Sequence, residues 1–440
     1  MEFNKNDMSG NSRYFQWIVL FLAMIFPSLI LIHSKVGNFV FYCLLLAGVL
    51  RWVVLRGQGR GNEVSNLMAL LKNYWPLHLA MAGTVLAIFI NQTAHGHWYA
   101  KTYDYPSRMF FFPLILWALL ALPASWMKQM RWAFVVGAIL ATIKMYVTTK
   151  GGTDREYVYF MPIIEFAQMS LLLGFFSILS IALDASQKKW AMILKLIAVS
   201  GAIYAAYMSQ TRGTWLAIPF FLILACYGLF ENVKPGKKLL IAGALILILS
   251  SLWGLSQSTH SRILSLETET DQYFKSGFTA DTSIGARLEM WRTAFLLYRE
   301  HPVTGVGREH FRISVQELAA REMVNPIIGR YAHSHNEIFY NMATLGSAGL
   351  MAILALYLVP AIYFFRDTRH ADRSIRAVAM MGVFLCLGFF IQGLSDVMFM
   401  WGSCDNFYAI ISAMLFAYII RRKAGLRDEP ASIQKNTAPI

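Results

Sequence analysis

Three stretches of the chain group residues able to hold an anion and move a proton. In Ser209-Gln210-Thr211-Arg212-Gly213-Thr214-Trp215, an arginine on a short turn precedes a glycine and a helix start. A guanidinium and free backbone NH groups are thereby offered to one anion. The plainer reading of such an arginine is an interfacial contact with lipid phosphates. In the second stretch Arg287 is followed by Trp291 and Arg292, and then by His301-Pro302-Val303-Thr304-Gly305-Val306-Gly307. The proline stops a helix and the glycines permit a tight turn. Arg292 and Arg299 read more simply as the solvated face of that helix.

The third stretch is Tyr331-Ala332-His333-Ser334-His335-Asn336-Glu337. Ser334 and Glu337 have the spacing of a capping box, which predicts a helix capped by Ser334 with His335 in its first turn. A helix N-terminus disfavours imidazolium, so His335 is expected to stay neutral and able to accept a proton. Two histidines at i, i+2 also suit interfacial hydrogen bonding or part of a metal site. Zinc would need further ligands, and nothing in the sequence fixes Glu309 or His310 of the same loop nearby. Glu267, Glu269 and Asp271 read as a solvated acidic segment, and no outer loop carries an Asp-x-Asp pair. The expectation is a site without metal.

The frame that must position these residues is set by composition. Apolar residues make up 57% of the 440 positions and charged residues 15%, against roughly 25% charged in soluble domains. Long apolar stretches such as 14–32 and 239–255 approach the roughly 20 residues needed to cross a bilayer as a helix. The alternating ten-residue segments of a β-barrel are missing. The predicted fold is an all-α integral membrane protein of about twelve transmembrane helices. The spans fall at about 14–33, 37–55, 74–92, 107–123, 132–149, 157–183, 190–208, 214–230, 239–258, 338–366, 375–400 and 407–421. The first, after Lys5 and Arg13, reads as a retained anchor and not a secretory leader. Cys43, Cys226 and Cys386 fall in spans and Cys404 near an outer turn, which makes neither a disulfide framework nor a CxxC pair.

The formal charge of +14 comes without a soluble basic domain, so no nucleic-acid partner is expected. Segments assigned to the inside carry basic clusters such as Arg366, Arg369, Arg373 and Arg376, or Arg421, Arg422, Lys423, Arg427 and Lys435. Short outer loops carry only Lys35, Lys101, Arg108, Lys150, Arg155 and Arg212. The positive-inside rule then puts both ends of the chain inside. The domain organisation reads as a nine-span region at 1–258, a large periplasmic loop with short helices at 259–337, a three-span region at 338–421 and a cytoplasmic polar tail at 422–440. Within the loop, Leu288, Trp291, Phe295 and Tyr298 recur at helical spacing and form an apolar face for the bilayer surface or the bundle. Among charges inside spans (Lys144, Glu165, Lys195, Asp396), only Asp396, near an outer end, is a candidate helper.

Taken in order, Thr211-Arg212-Gly213-Thr214-Trp215, the helix from Gly285-Ala286-Arg287 to His301-Pro302 with Gly305-Val306-Gly307, and His333-Ser334-His335-Asn336-Glu337 resemble the shared region of the O-antigen ligase and polymerase superfamily. Within it the chain is most similar to O-antigen ligases of Gram-negative bacteria. The resemblance covers about 200–350 well and the remainder only as span count and loop placement. It implies a glycosyltransferase of the bacterial cell inner membrane with its site facing the periplasm. Such an enzyme moves a polysaccharide from undecaprenyl pyrophosphate to a sugar hydroxyl of lipid A-core, for lipopolysaccharide biosynthesis, without metal or nucleotide. Arg212 and Arg287 would bind the pyrophosphate, His335 would be the general base, and His333, Asn336 and Asp396 would support it. A single displacement with inversion at the anomeric carbon is implied as well.

Three other readings stand beside it: a polymerase of the same superfamily, a protein O-oligosaccharyltransferase, and a twelve-span transporter. The last is disfavoured because carriers of repeated halves do not place their long connection after span nine. A topology prediction follows from the charge distribution. A membrane-impermeant maleimide should label Gln272→Cys from the outside and Arg369→Cys only after permeabilisation, and labelling of both from one side would overturn the arrangement.

Overall fold

The computed structural model describes residues 10–57, 61–153, 160–184, 188–230, 233–254, 270, 273, 275 and 282–427. Glu267, Glu269, Asp271 and the side chain of Arg212 lie outside the described part. The structure is 82% helix and has no strand among the described residues, as expected where lipid leaves backbone groups no partners but their own. The first helices are α1 (Gly10–Leu29), α2 (Ser34–Gly57), α3 (Gly61–Asn73), α4 (Trp75–His95), α5 (Ser107–Phe110), α6 (Phe112–Leu119), α7 (Ala124–Met127) and α8 (Met130–Thr148). There follow α9 (Ile163–Leu179), α10 (Lys189–Met208), α11 (Arg212–Leu229), α12 (Pro235–Gly254), α13 (Ser283–Glu300), α14 (Phe311–Ala320), α15 (Glu337–Asp367), α16 (Arg373–Gly393) and α17 (Gly402–Arg427).

Among the described residues, eight helical segments are long and apolar enough to cross a membrane, and Arg13–Leu29 and Gly213–Leu229 are apolar but shorter. The predicted span at 107–123 is interrupted: α5 and α6 part at Phe111, where Pro113 in the restarting helix has no NH to donate back. The twelve predicted spans thus correspond in place to eight long helices, two shorter ones, α12 and this broken segment. The tail predicted to start at 422 begins as helix, since α17 continues to Arg427. Two of the in-span charges are satisfied locally. Lys195 pairs with Asp184 at 2.7 Å, and the Lys144 ammonium donates to the Ile32 carbonyl at 2.6 Å.

α15 has 31 residues and is broken at Gly346; the stretch 347–367 alone, roughly 30 Å at 1.5 Å per residue, matches the hydrocarbon thickness. The stretch before the break carries the loop region. Helix α13 runs alongside it in the same direction, because Trp291 stacks on Phe339 at 5.7 Å and the Tyr298 hydroxyl meets Ser347 Oγ at 3.0 Å. The face of α13 turned inward is not the predicted Leu288, Trp291, Phe295, Tyr298 stripe. The buried side chains are Ala286, Met290, Ala294 and Leu297 with Glu289 and Thr293, and Phe295 is exposed. Small residues allow close approach, and Glu289 is tolerated there because Tyr273 Oη, Arg292 Nη1 and the Asn325 NH all donate to it.

After His301 caps α13, the chain turns back and clamps onto α15. The NH groups of Val306 and Gly307 donate to the Ala343 and Thr344 carbonyls at 3.0 and 2.8 Å. Those carbonyls are freed by a break at Gly346, whose φ of 62° and ψ of −152° suit glycine alone. A Cβ at Gly346 would overlap the Val303 carbonyl, and one at Gly305 would overlap the α15 backbone. Gly346→Ala should therefore destabilise the protein by roughly 2–4 kcal/mol, combining backbone strain with lost clamp bonds. A thermal midpoint in detergent equal to that of the wild type would show that the clamp does not require glycine.

Candidate active site

Three chain segments meet at one end of the bundle. They are the turn between α10 and α11, the segment leading into α15, and the turn after α16. Asp396 lies in the last of these. The turn is closed by Ser395 and Asp396 NH groups donating to the Gln392 carbonyl at 2.9 and 3.0 Å. The buried Asp396 carboxylate accepts from the Val397 NH at 2.8 Å.

Asn336 joins this turn to α15. Its Oδ1 accepts from the NH groups of Ile338 and Phe339 at 3.0 and 3.2 Å, which makes it the N-cap, while its Nδ2 donates to the Leu394 carbonyl at 3.1 Å. The predicted capping box is therefore not formed. Ser334 Oγ donates to the Asn336 carbonyl at 2.9 Å. The Glu337 carboxylate accepts from Asn341 Nδ2 at 2.8 Å and the Phe399 NH at 3.0 Å, with no reach back to the cap. Both Ser and Asn cap helices well, and Asn336 prevails because its second group also anchors α16.

His335 consequently sits outside the first turn, with the left-handed φ of 47°. What orients it is a carboxylate and not a helix terminus: its Nδ1 lies 3.2 Å from Asp396 Oδ1. The approach is close but off the line of a well-directed hydrogen bond, as catalytic pairs often are before substrate binds. His333 Nδ1 lies 3.8 Å from the same oxygen but accepts the His335 backbone NH at 3.2 Å. The two rings pack edge to face at 4.3 Å. Burial, then the neighbouring His335, push His333 down to about 4 against the pull of Asp396. Burial pushes Asp396 up, yet the hydrogen bond and charge of His335, the charge of His333 and the Val397 NH hold it below the ordinary carboxylate range. The arrangement is an ionised carboxylate holding one imidazole, with a second, neutral imidazole against it.

The arginines of the other two stretches come to the same place by their backbones. Gly213 lies so close to Ser395 Oγ that a side chain would collide with it, and Thr214 Oγ1 donates to Gln392 Oε1 at 3.3 Å. This sets the start of α11, and with it the Arg212 backbone, against the Asp396 turn. Arg287 precedes Trp291 by one helical turn, and Trp291 stacks on Phe339 in a parallel helix, so Arg287 lies toward the N-terminal end of α15. Its side chain is half-buried and has no hydrogen-bond or ion-pair partner among the described residues. Ser395, Gln392 and Arg308 escaped the sequence reading, since their relevance comes from packing across helices and no local motif marks them.

Residues 196–354 match the family described as O-Antigen ligase. The match supports membership of the O-antigen ligase superfamily. That match contains the α10–α11 turn, α13, the glycine clamp and the His335 segment, and it ends inside α15. The chain is also similar to an uncharacterized protein of Haemophilus influenzae, 22% identical over 343 residues that cover 75% of this chain and 81% of the relative. Members of that family are glycosyltransferase-like enzymes, and the family match together with eight long apolar helices supports a multi-pass membrane protein.

One ligand atom each from His333, His335 and Asp396 lies within 4.8 Å of the others. The third ligand absent from the sequence reading is thus Asp396. Glu309, by contrast, faces Gln92 at 3.5 Å and His310 packs against Tyr99. Metal binding through Nδ1 of His333 would have to displace the His335 NH that this nitrogen accepts.

The depressed His333 has a pH consequence. A folded-state value of about 4 below an unfolded value near 6.5 means the unfolded chain binds the extra proton, so stability is full above pH 6.5 and falls as pH drops toward 4. His333→Gln should remove up to about 3 kcal/mol of that acid sensitivity. Parallel melting curves of wild type and variant from pH 7.5 to 5 would contradict the assignment.

Proposed function

We propose that the protein transfers a polysaccharide from undecaprenyl pyrophosphate to a sugar hydroxyl of lipid A-core. Its site would face the periplasm across the bacterial inner membrane, with the twelve-span arrangement expected from the sequence. The observation that carries the reading is the His335–Asp396 pair with the α11 start that bears Arg212 packed against its turn. With Nδ1 turned to Asp396, Nε2 of His335 is free to take the proton of the acceptor hydroxyl. The hydroxyl oxygen forms the new bond to the anomeric carbon, the bond from that carbon to the pyrophosphate breaks, and undecaprenyl pyrophosphate departs with the electron pair. Asp396 stabilises the imidazolium that results, as a buried carboxylate does in a hydrolase triad.

Charge growing on the departing pyrophosphate calls for fixed donors. Arg212 and Arg287 supply two guanidinium forks from separate helices, and an unpaired Arg287 is free for this task. Metal-free chemistry is favoured because His333 Nδ1 is engaged by a backbone NH. His333 then acts as a neutral wall that fixes the His335 backbone.

The test is transfer by the purified full chain from lipid-linked glycan to lipid A-core, with a second lipid-linked glycan as alternative acceptor. His335→Ala should lower turnover by roughly 10² to 10⁴, Arg212→Lys or Arg287→Lys should lower it by roughly tenfold or more, and chelator should leave it unchanged. Loss with chelator and recovery with a divalent ion would make the histidines ligands. Extension of the second glycan in place of lipid A-core would make the protein a polymerase.

A further inference from the structure

Arg308 is a half-buried cation that acts on the Glu337 and Asp405 carboxylates through space and makes no direct ion pair with either. It follows the clamp directly, so its backbone is fixed by the Val306 and Gly307 bonds to α15. Its Nη2 donates to Asn341 Oδ1 at 2.8 Å, its guanidinium lies 5.8 Å over the Tyr340 ring, and its Nε is enclosed without an acceptor. Among the described residues no carboxylate comes within ion-pair distance of it. The nearest candidate, Glu337, is already occupied on both oxygens by Asn341 and the Phe399 NH. The adjoining Glu309 faces Gln92 at 3.5 Å. A half-buried guanidinium with one hydrogen bond, an unsatisfied Nε and carboxylate neighbours already engaged elsewhere has donors left for a further anion.

Beside Arg308 lies a set of rings. His310 packs edge-on to Tyr99 at 5.8 Å and stands 6.4 Å from His97. The Tyr99 backbone is fastened by Gln92, which donates to its carbonyl and accepts its NH, both at 3.3 Å. The connection after α4 is thereby held against the residues that follow Arg308. Fixed rings beside a fixed cation offer a face for a sugar and a fork for its charged substituent.

We propose that Arg308, with Tyr99 and His310, forms a subsite for an anionic substituent, a phosphate monoester or a carboxylate, on the glycan acceptor. The inference rests on the transferase reading above. Asn341 lies four residues into α15 from Glu337 and His335 two residues before that helix, so the subsite stands on the order of 10 Å from the reacting hydroxyl, about two sugar units away. The donor pyrophosphate has its own arginines, Arg212 and Arg287. Arg308 therefore selects the acceptor and takes no part in the displacement.

The experiment uses the full chain in nanodiscs with lipid A-core, native or enzymatically dephosphorylated, as wild type, Arg308→Gln and Arg308→Lys. Wild-type KM for the acceptor should rise roughly tenfold on dephosphorylation. Arg308→Gln should show the same rise with native acceptor and no further rise with the dephosphorylated one, at unchanged donor KM and near-unchanged kcat. Arg308→Lys should fall between. An equal loss on both acceptors, or a change in donor KM, would overturn the subsite and make Arg308 structural or a donor contact. Binding of the two lipid A-core forms, read by native mass spectrometry without donor, separates the two claims. Arg308-dependent preference for the phosphorylated form with no transfer would sink the transferase reading alone, whereas transfer without that preference would sink the subsite alone.

Discussion

The arrangement depends on one buried carboxylate. Asp396 is 4% exposed, and an ionised group in that position costs several kcal/mol unless it is both paired and hydrogen-bonded. His335 supplies the pairing, and the Val397 NH supplies a bond within the turn. Asn336 then ties the same turn to α15 through the Leu394 carbonyl. Removing the carboxylate would leave more than a missing charge, because the imidazole, the helix start and the end of α16 all take their positions from this turn.

The second constraint is the break in α15. The stretch before Gly346 gives α13 and the clamp a rigid surface, and the break exposes the carbonyls that hold the clamp. Glycine is needed at both faces of that contact: Gly346 because of its backbone angles, and Gly305 because the α15 backbone comes too close for a side chain. The glycine motif is thus an architectural part of the site. It holds the end of α13 to α15 and fixes the backbone that leads into Arg308.

Much of this was legible in the sequence, and the reasons for the rest are physical. Helix positions followed from apolar length, and the stop at His301-Pro302 and the turns at Gly305 and Gly307 followed from backbone chemistry that is local. The capping box failed because its rival, Asn336, wins through a bond to Leu394, 58 positions away. The apolar stripe of α13 was read for the bilayer surface or the bundle, and Trp291 and Tyr298 do meet α15; the small buried residues Ala286 and Ala294 were not marked, because hydrophobic size does not reveal close packing. Asp396 was marked only as a charge near a span end. That it becomes the partner of His335, and a third group beside two histidines, depends on the meeting of α15 and α16, which no local spacing records.

The central claim is that His335 and Asp396 act as one catalytic unit. It is tested most directly by a double-mutant cycle on the single-turnover transfer rate, using Asp396→Asn, His335→Ala and the double variant with lipid-linked glycan and lipid A-core. Members of one unit are strongly non-additive. Asp396→Asn should slow transfer by roughly 10² to 10⁴ through loss of the oriented base, and the double variant should be no slower than His335→Ala alone. Losses that multiply, or an Asp396→Asn rate equal to wild type, would contradict the account.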